Sequence, residues 1–166
     1  MRISVLAIII DEMDHRFLAI KRRDVPIWVL PGGSAEDKES LEAAVVREVF
    51  EETGLSVAIK RKVAEYTPIN KLTTPVYLYE CIIIDGSPKT GMETRAIGFF
   101  DYKDLPEPFF FIHADMLQDT LRNEPGVIRK PLTQVTYLAL LKYFLIHPLY
   151  VFRFICSKLG IPINSK

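Results

Sequence analysis

A dense group of carboxylates within residues 31–55 places the strongest constraint on what this chain can form. From about Glu39 to Thr53 the sequence contains no Gly or Pro, and Gly54 follows where a left-handed residue would end a helix. Asp37 or Ser40 is available to cap the start. The segment therefore predicts a helix that ends at Gly54.

The predicted helix has an apolar arc and an acidic edge. At 100° per residue, the arc consists of Leu41, Val45, Val46, Val49 and Phe50. The edge consists of Arg47, Glu48, Glu51 and Glu52. Glutamates three and four residues apart repel each other, and a hard divalent cation would remove that repulsion by taking their oxygens as ligands. An isolated set of three glutamates would instead favour an acidic surface helix.

The glutamates belong to a longer pattern that begins in a glycine loop. Counted from Gly33, the spacing is G-x5-E-x7-R-E-U-x-E-E-x-G-U, where U is a bulky aliphatic residue. Its positions are filled by Gly33, Glu39, Arg47, Glu48, Val49, Glu51, Glu52, Gly54 and Leu55. The pattern resembles the signature of the Nudix hydrolases at every position. So many fixed positions make the match far more specific than a lone glycine loop, and they favour a catalytic role.

The resemblance implies a reaction and a set of roles. Nudix hydrolases cleave a nucleoside diphosphate linked to another group X, using Mg²⁺ or Mn²⁺ to activate water against phosphorus. By this resemblance Glu51 and Glu52 are the principal metal ligands, and Glu48 is a ligand or the general base. The supporting roles fall to Gly32 as a carbonyl ligand, Arg47 as the residue that orients a carboxylate, and Glu39 as the brace of the loop. Such a cluster supplies the charge neutralisation, water and base that phosphoanhydride hydrolysis needs.

Glu93 is a second candidate for the general base. In many Nudix hydrolases a glutamate in the corresponding loop joins the metals or acts as base, in a pattern similar to E-x-x-E-x-x-aromatic. Glu93 matches the first glutamate, six residues before Phe99, but Ala96 stands where the second often is. The alternatives are therefore a base at Glu93, a base at Glu48, or a solvated loop glutamate at residue 93.

Weaker signals suggest contacts with the substrate. Arg22 and Arg23 end a predicted strand and face either phosphate or solvent. Trp28 is expected to pack beside the metal loop rather than stack on a base. Asp119, on a predicted helix over residues 112–123, is a weak candidate for reading a base.

Two polar residues at the start of that helix have a different interpretation. His113 and Asp115 are of types that often cap helices, and we expect them to act as caps rather than in catalysis.

The other segments predict strands around the acidic helix. They cover residues 1–10, 16–23, 56–67, 75–85 and 96–102. The expected fold is a Nudix-type α/β/α sandwich with a mixed sheet, formed by a domain over residues 1–130. The resemblance does not extend into residues 131–166.

Residues 131–166 predict an apolar helical extension. Residues 132–146 are apolar all round a helical wheel, and a second helix over residues 149–159 follows a break at His147-Pro148. The longest run without a charged residue, 143–152, is 10 residues, short of the roughly 18 that a spanning helix needs. We expect the extension to pack on its own domain, at a homodimer interface, or on a membrane surface, in that order.

Composition limits the functional classes. The chain has 21 basic and 21 acidic residues and a pI near 6.8, which excludes a global attraction to nucleic acid, and no DNA-binding module follows residue 102. Cys81 and Cys156 lack the spacing of metal ligands and favour a reducing, cytoplasmic location. The predicted function is a Mg²⁺-dependent pyrophosphohydrolase acting on a small nucleotide. The alternatives are a catalytically silent nucleotide sensor and a hydrolase held at a membrane surface.

Overall fold

The computed structural model describes residues 2–11 and 14–158, which form eight strands and four helices. The strands are β1 (Ser4–Asp11), β2 (Arg16–Arg22), β3 (Trp28–Val29), β4 (Gly32–Ser34), β5 (Leu55–Thr67), β6 (Val76–Gly86), β7 (Thr94–Asp101) and β8 (Ile128–Pro131). The helices are α1 (Leu41–Thr53), α2 (Phe111–Leu121), α3 (Tyr137–Ile146) and α4 (Pro148–Lys158). Met1, where the predicted first strand begins, and Leu159, where the predicted last helix ends, lie outside the described residues, as do residues 160–166.

The strands form one mixed sheet in the order β3-β2-β1-β6-β5-β8. The β1–β6 and β5–β8 pairs are parallel, and the other neighbours are antiparallel. Two strands lie off this path, since β4 pairs with β1 and β7 pairs with β2. Strand β1 is central because it contacts β2, β4 and β6, and so it connects the glycine strand β4 to the rest of the sheet.

The sheet lies between α1 and α2, and the alternation of side chains along β1 shows why. Val5, Ala7 and Ile9 belong to the apolar cluster that includes Val45 and Val49 of α1. Leu6 and Ile8 point the other way, into the cluster that includes Met116 and Leu117 of α2. Because side chains alternate along a strand, one apolar strand can serve both layers. The predicted α/β/α sandwich with a mixed sheet is confirmed.

Helix α1 follows its predicted course except at Phe50. Ser40 caps it, accepting a hydrogen bond from the Ala43 amide through its side chain, and Gly54 ends it with φ 71°. The buried face of α1 consists of Ala44, Val45, Val49 and Thr53. Phe50, which the sequence placed on the apolar arc, is 57% exposed and packs outside the core. The buried face is narrower than the predicted arc and is rotated towards the small residues Ala44 and Thr53.

The sandwich continues past residue 130, where the sequence analysis placed the end of the domain. Strand β8 pairs with β5, and Leu132 is buried in the α2-side cluster. The Asn70 amide donates to the Val135 carbonyl at 2.6 Å. The main chain thus stays part of the sandwich to about Thr136, where the Thr136 hydroxyl caps α3 by accepting from the Ala139 amide at 3.0 Å.

The outer side of α3 and α4 is apolar and exposed. Helix α3, which the structure describes throughout, has no fully buried side chain, and Leu138 is 75% exposed. The exposed apolar side chains of the two helices include Leu141, Leu145, Leu149 and Phe152. The expectation that the extension packs on its own domain, at a homodimer interface or on a membrane surface stays a prediction, and these exposed side chains are the part of the extension that the domain leaves uncovered. No helix in the described part of the chain is both long and apolar enough to cross a membrane.

Candidate active site

The glycine strand β4 approaches β1 as closely as main chain can. Gly32 pairs with Leu6 and has φ 149°, and a Cβ at this position would overlap the Val5 carbonyl oxygen. A Cβ on Gly33 would overlap the Glu48 carboxylate. At Gly32 the obstacle is main chain and only glycine allows the approach, whereas at Gly33 a side chain would displace the Glu48 carboxylate.

Two glutamates of α1 reach back to the main chain of β4. The Gly32 amide donates to Glu52 Oε2 at 2.8 Å, and the Ser34 amide donates to Glu48 Oε1 at 3.1 Å. These bonds fix the orientation of both carboxylates relative to the loop. The structure thus brings together Gly32, Gly33, Glu48 and Glu52, as the sequence pattern predicted.

Arg47 holds the loop and the helix together. Its Nε and Nη2 atoms each lie 2.9 Å from an oxygen of Glu39, and Nη2 also donates to the Ser34 carbonyl at 3.1 Å. Its Nη1 atom lies 3.1 Å from Glu48 and 3.3 Å from Glu51. The pKa of Glu39 is lowered to about 2, mainly because its carboxylate accepts these hydrogen bonds from Arg47. This arrangement agrees with the bracing and orienting roles that the sequence suggested for Glu39 and Arg47.

Glu52 is the most perturbed carboxylate of the cluster. Burial is the main reason that its pKa rises to about 8, and the charges of Glu48 and Glu93 add to the shift. The Gly32 amide and the Arg22 charge oppose it. Burial also raises the pKa of Glu48, against the attraction of Arg47. Ionising Glu48 and Glu52 together is therefore unfavourable, and a bound cation would offset this unfavourable free energy.

The donor chemistry of this cluster suits a hard divalent cation, although its side chains face protein donors. Within residues 2–11 and 14–158, no three carboxylate, imidazole or thiol side chains converge into a preformed metal site. Instead, Glu48, Glu51 and Glu52 accept from main-chain amides or from Arg47. Mutual repulsion favours this separation, and carboxylate oxygens with nearby main-chain groups are the ligands that Mg²⁺ accepts. The metal-ligand roles stay predictions.

The loop after β6 wraps the carboxyl end of α1 and brings Glu93 to the cluster. The Lys89 amide donates to the Thr53 carbonyl at 2.7 Å, and the Gly91 amide donates to the Glu52 carbonyl at 3.3 Å. Glu93 follows on this loop with an exposed side chain. Its charge is close enough to Glu52 to raise the pKa of that residue. The sequence found Glu93 but gave no signal for the wrapping that positions it.

The two arginines at the end of β2 have different partners. Arg22 forms a bidentate pair with Asp24, at 2.9 and 2.6 Å, and its charge acts on Glu52. Arg23 donates through its side chain to the Met92 and Thr94 carbonyls at 3.1 and 3.0 Å. Arg22 therefore lies at the site, whereas these bonds of Arg23 hold the loop that carries Glu93. The sequence analysis did not identify Asp24. Its position two residues after Arg22 was the signal that could have predicted the ion pair.

Trp28 and Asp119 lie elsewhere. Trp28 packs edge to face on Phe100, with 4.7 Å between ring centroids, and it is not among the residues that line the cavity next to Glu52. Asp119 is buried, and its carboxylate accepts from the Tyr66 hydroxyl at 2.7 Å and from Lys130 at 2.9 Å. A buried and paired carboxylate cannot reach a base, so the suggestion for Asp119 is corrected.

The predicted capping role of His113 is also wrong. Its Nδ1 atom accepts a hydrogen bond from the Leu30 amide at 2.9 Å, and its ring contacts Phe110, which occupies the N-cap position. His113 thus fixes the main chain two residues before Gly32. Burial lowers the pKa of His113 to about 3, with a smaller contribution from Arg22, so the ring is neutral at pH 7. Asp115 does not cap the helix either, and it accepts from the Gln134 amide at 2.9 Å.

The lowered pKa of His113 predicts that the fold is sensitive to acid. A histidine with a folded-state pKa near 3 and an unfolded value near 6.5 stabilises the fold above pH 6.5 and loses that stabilisation as the pH falls. Between pH 6.5 and 4.5 the loss is roughly 2–3 kcal/mol. His113→Asn keeps an acceptor for the Leu30 amide and does not titrate. The free energy of unfolding of this variant, measured with urea, should therefore fall less between pH 6.5 and 4.5 than that of the wild type. His147→Asn is the matched control, and an unchanged slope in His113→Asn would contradict the prediction.

A cavity of about 520 Å³ opens from this cluster. Gly32, Gly33, Arg22 and Glu52 line its inner end. Residues of β1, β3, α2, α3 and α4 also line it, among them Leu6, Val29, Phe110, Met116, Ala139, Tyr143 and Tyr150. The contribution of α3 and α4 was not predicted, because no local pattern says which way an all-apolar helix faces.

Comparisons with known sequences identify relatives over the part of the chain that forms this site. A family model described as the NUDIX domain matches residues 1–120. The chain is 34% identical over 125 residues to a protein named ADP-ribose pyrophosphatase from Methanocaldococcus jannaschii, covering 70% of this chain and 72% of that protein. It is 35% identical over 122 residues to a MutT-like protein from Streptomyces ambofaciens, covering 72% and 76% respectively.

Solved structures agree with the sequence relatives. An ADP-ribose pyrophosphatase from Streptococcus suis superposes with a TM-score of 0.67 at 29% identity, covering 78% of this chain and 98% of that chain. A NUDIX hydrolase from Nitrosomonas europaea superposes with a TM-score of 0.68 at 22% identity, covering 79% and 78%, and supports the fold alone. The family match ends at residue 120, so α3 and α4 lie outside it.

Proposed function

The chain belongs to the Nudix family of hydrolases, and from this premise we propose that it is a Mg²⁺- or Mn²⁺-dependent pyrophosphohydrolase that cleaves the phosphoanhydride of a nucleoside diphosphate derivative. The observation that carries the proposal is the partly buried Glu52 carboxylate, which accepts a hydrogen bond from the Gly32 amide and lines a cavity large enough for a nucleotide. Buried carboxylates with raised pKa values in a cleft are typical of catalytic sites.

The residues divide into three roles. Glu48, Glu51, Glu52 and the Gly32 carbonyl would hold the cation, which when bound neutralises phosphate charge and lowers the pKa of a water. Arg47 and Glu39 hold the acidic edge of α1 against β4, so that these oxygens keep their positions. Arg22, already paired with Asp24, offers a positive charge next to Glu52 for a substrate phosphate.

We propose Glu93 as the general base. Amide and guanidinium donors already hold Glu48, which fits a ligand, whereas Glu93 is exposed on a loop beside the cluster. If this is right, Glu93→Gln lowers kcat by about 10²–10⁴-fold with little change in Mn²⁺ affinity. Glu48→Gln should weaken Mn²⁺ binding as well, as measured by calorimetry. A fully active Glu93→Gln enzyme would move the base to Glu48.

The reaction class is tested with a substrate panel. Nucleoside triphosphates, nucleotide sugars, ADP-ribose and capped RNA are incubated with Mg²⁺ or Mn²⁺, and products are identified by ³¹P NMR. The relatives named as ADP-ribose pyrophosphatases make ADP-ribose the first compound to test. We expect metal-dependent release of a nucleoside monophosphate from at least one member. Binding of a nucleotide without turnover would instead support a silent nucleotide sensor.

The exposed apolar side of α3 and α4 favours one addition to this function. Leu138, Leu145 and Leu149 require a cover, which a second copy of the chain or a membrane surface would supply. Size-exclusion chromatography without detergent and flotation with lipid vesicles separate the two. Free Cys81 and Cys156 support a reducing, cytoplasmic compartment.

A further inference from the structure

The inner faces of α3 and α4 form the outer wall of the cavity beside Glu52. Thr136, Ala139, Leu140 and Tyr143 all line this cavity, at the i, i+3, i+4 and i+7 spacing of one helical face. Tyr150 and Val151 of α4 line it as well. The next residue of α3 on the other side, Leu138, is exposed. The two helices therefore have one side towards the cavity and another towards solvent.

Hydrogen bonds connect this wall to the carboxylate cluster and to α2. Arg153 of α4 donates through Nε to the Asp24 carbonyl at 2.8 Å. The carboxylate of the same Asp24 pairs with Arg22, whose charge acts on Glu52. On the opposite side, Gln134 bonds Asp115 of α2 at 2.9 Å. The wall is thus connected to the carboxylate cluster through Asp24 and to α2 through Gln134.

The charge in the cavity is confined to one end. Among the described residues that line it, the acidic and basic side chains are those of Arg22, Glu52 and His113, and all three lie close to the carboxylate cluster. The rest of the lining is mostly aliphatic and aromatic, including Val135, Leu140 and Met116. A charged phosphate chain would lose its hydration at the apolar end without gaining a partner, whereas an apolar group would gain by leaving water.

We propose that α3 and α4 make this cavity a specificity chamber, which receives a large, uncharged, apolar group carried on the substrate diphosphate. The proposal rests on the proposed function, because the diphosphate must lie at the carboxylate end. The cavity continues directly from Glu52 and Gly32 into the apolar end, so a group esterified to the diphosphate reaches it without leaving the protein. The wall comes from α3 and α4, which lie beyond the part of the chain that the family model matches.

The test compares esters of adenosine 5′-diphosphate whose terminal phosphate carries a methyl or an n-hexyl group. Water cleaves the phosphoanhydride of either ester to AMP and the alkyl phosphate, so the chemistry is the same. Each buried methylene favours binding by roughly fourfold. The hexyl ester has five more methylenes than the methyl ester, so we expect kcat/KM to be on the order of 10³-fold higher for it. Calorimetry with the methylene-bridged, non-hydrolysable analogues should give a similar affinity ratio.

Two neighbouring positions on α3 provide a matched pair of variants. Ala139→Trp fills the chamber and should reduce the hexyl-to-methyl ratio below about tenfold, whereas Leu138→Trp on the solvent side should leave it unchanged. Leu140→Asn, at a half-exposed lining position, should also lower the ratio without overpacking. Circular dichroism establishes that each variant is folded.

The outcomes separate the two proposals. Equal affinity of the wild-type protein for both analogues would overturn the chamber, including the case in which the nucleobase occupies it. Equal loss of the ratio in Ala139→Trp and Leu138→Trp would overturn it too. If neither ester is cleaved but the analogues keep their affinity ratio, the chamber stands and the hydrolase proposal fails.

Discussion

Glu52→Gln is expected to reduce turnover by at least about 10³-fold while stabilising the metal-free protein. The loss of activity follows because one charged oxygen ligand leaves the site where we place the cation. The gain in stability follows from the pKa of Glu52, which burial raises to about 8 from an unfolded value near 4.5. In the absence of metal, the wild type therefore loses stability as the pH rises from about 4.5 through 8, and glutamine avoids that loss.

The stabilisation by Glu52→Gln should depend on pH and should be specific to this position. At pH 7.5 in EDTA, the variant should gain about 2–4 kcal/mol in the free energy of unfolding, and the gain should vanish near pH 4.5. Glu42→Gln makes the same charge change on α1 about 15 Å away, where Glu42 accepts from the Tyr79 hydroxyl. It should leave turnover unchanged. Near wild-type turnover in Glu52→Gln would exclude Glu52 as a ligand.

Local features of the sequence predicted local structure well. The start of α1 at Ser40, its end at Gly54 and the carboxylates between them depend on contacts within a few residues. Arg47 and Glu39 are eight residues apart, and the resemblance gave a role to each of them but did not predict that they pair. The long strands β5 and β6 were found because their composition is consistent over many residues.

Features that depend on distant residues were missed. Strands β3, β4 and β8 are two to four residues long, too short for periodicity, and exist because a longer strand pairs with them. Asp119 was misread because its partner Tyr66 lies 53 residues away in sequence. The same limit applies to the loop over residues 89–91, whose amides complete the end of α1 from more than 35 residues downstream.

The extension shows a different limit. A helix that is apolar all round has no preferred face in a helical wheel, so the sequence could not say which side of α3 would face the domain. In the structure the side with Ala139 and Tyr143 faces the cavity, and the hydrogen bond from Arg153 to the Asp24 carbonyl connects α4 to the domain beside it. The remaining side of the two helices is exposed.

Gly32→Ala is expected to destabilise the fold by roughly 3–5 kcal/mol and to abolish metal binding. Gly32 has φ 149°, and its Cβ would overlap the Val5 carbonyl oxygen and approach the Leu6 Cα. Both obstacles are main chain, so no side-chain rotation relieves them. The alternative for the variant is to separate β4 from β1, which removes the Gly32 amide from Glu52 and moves the whole acidic edge out of register with the loop.

Gly126→Ala separates the strain of the left-handed conformation from the overlap. Gly126 also has a positive φ, 91°, but no heavy atom of the described chain lies within 4 Å of where its Cβ would be. Gly126→Ala should lower the free energy of unfolding by only about 1–2 kcal/mol and should keep its activity. Urea unfolding and Mn²⁺ calorimetry on both variants decide the matter. If the two substitutions cost the same, the close approach of β4 to β1 does not govern the site, and the positions of Glu48 and Glu52 must depend on α1 and Arg47 alone.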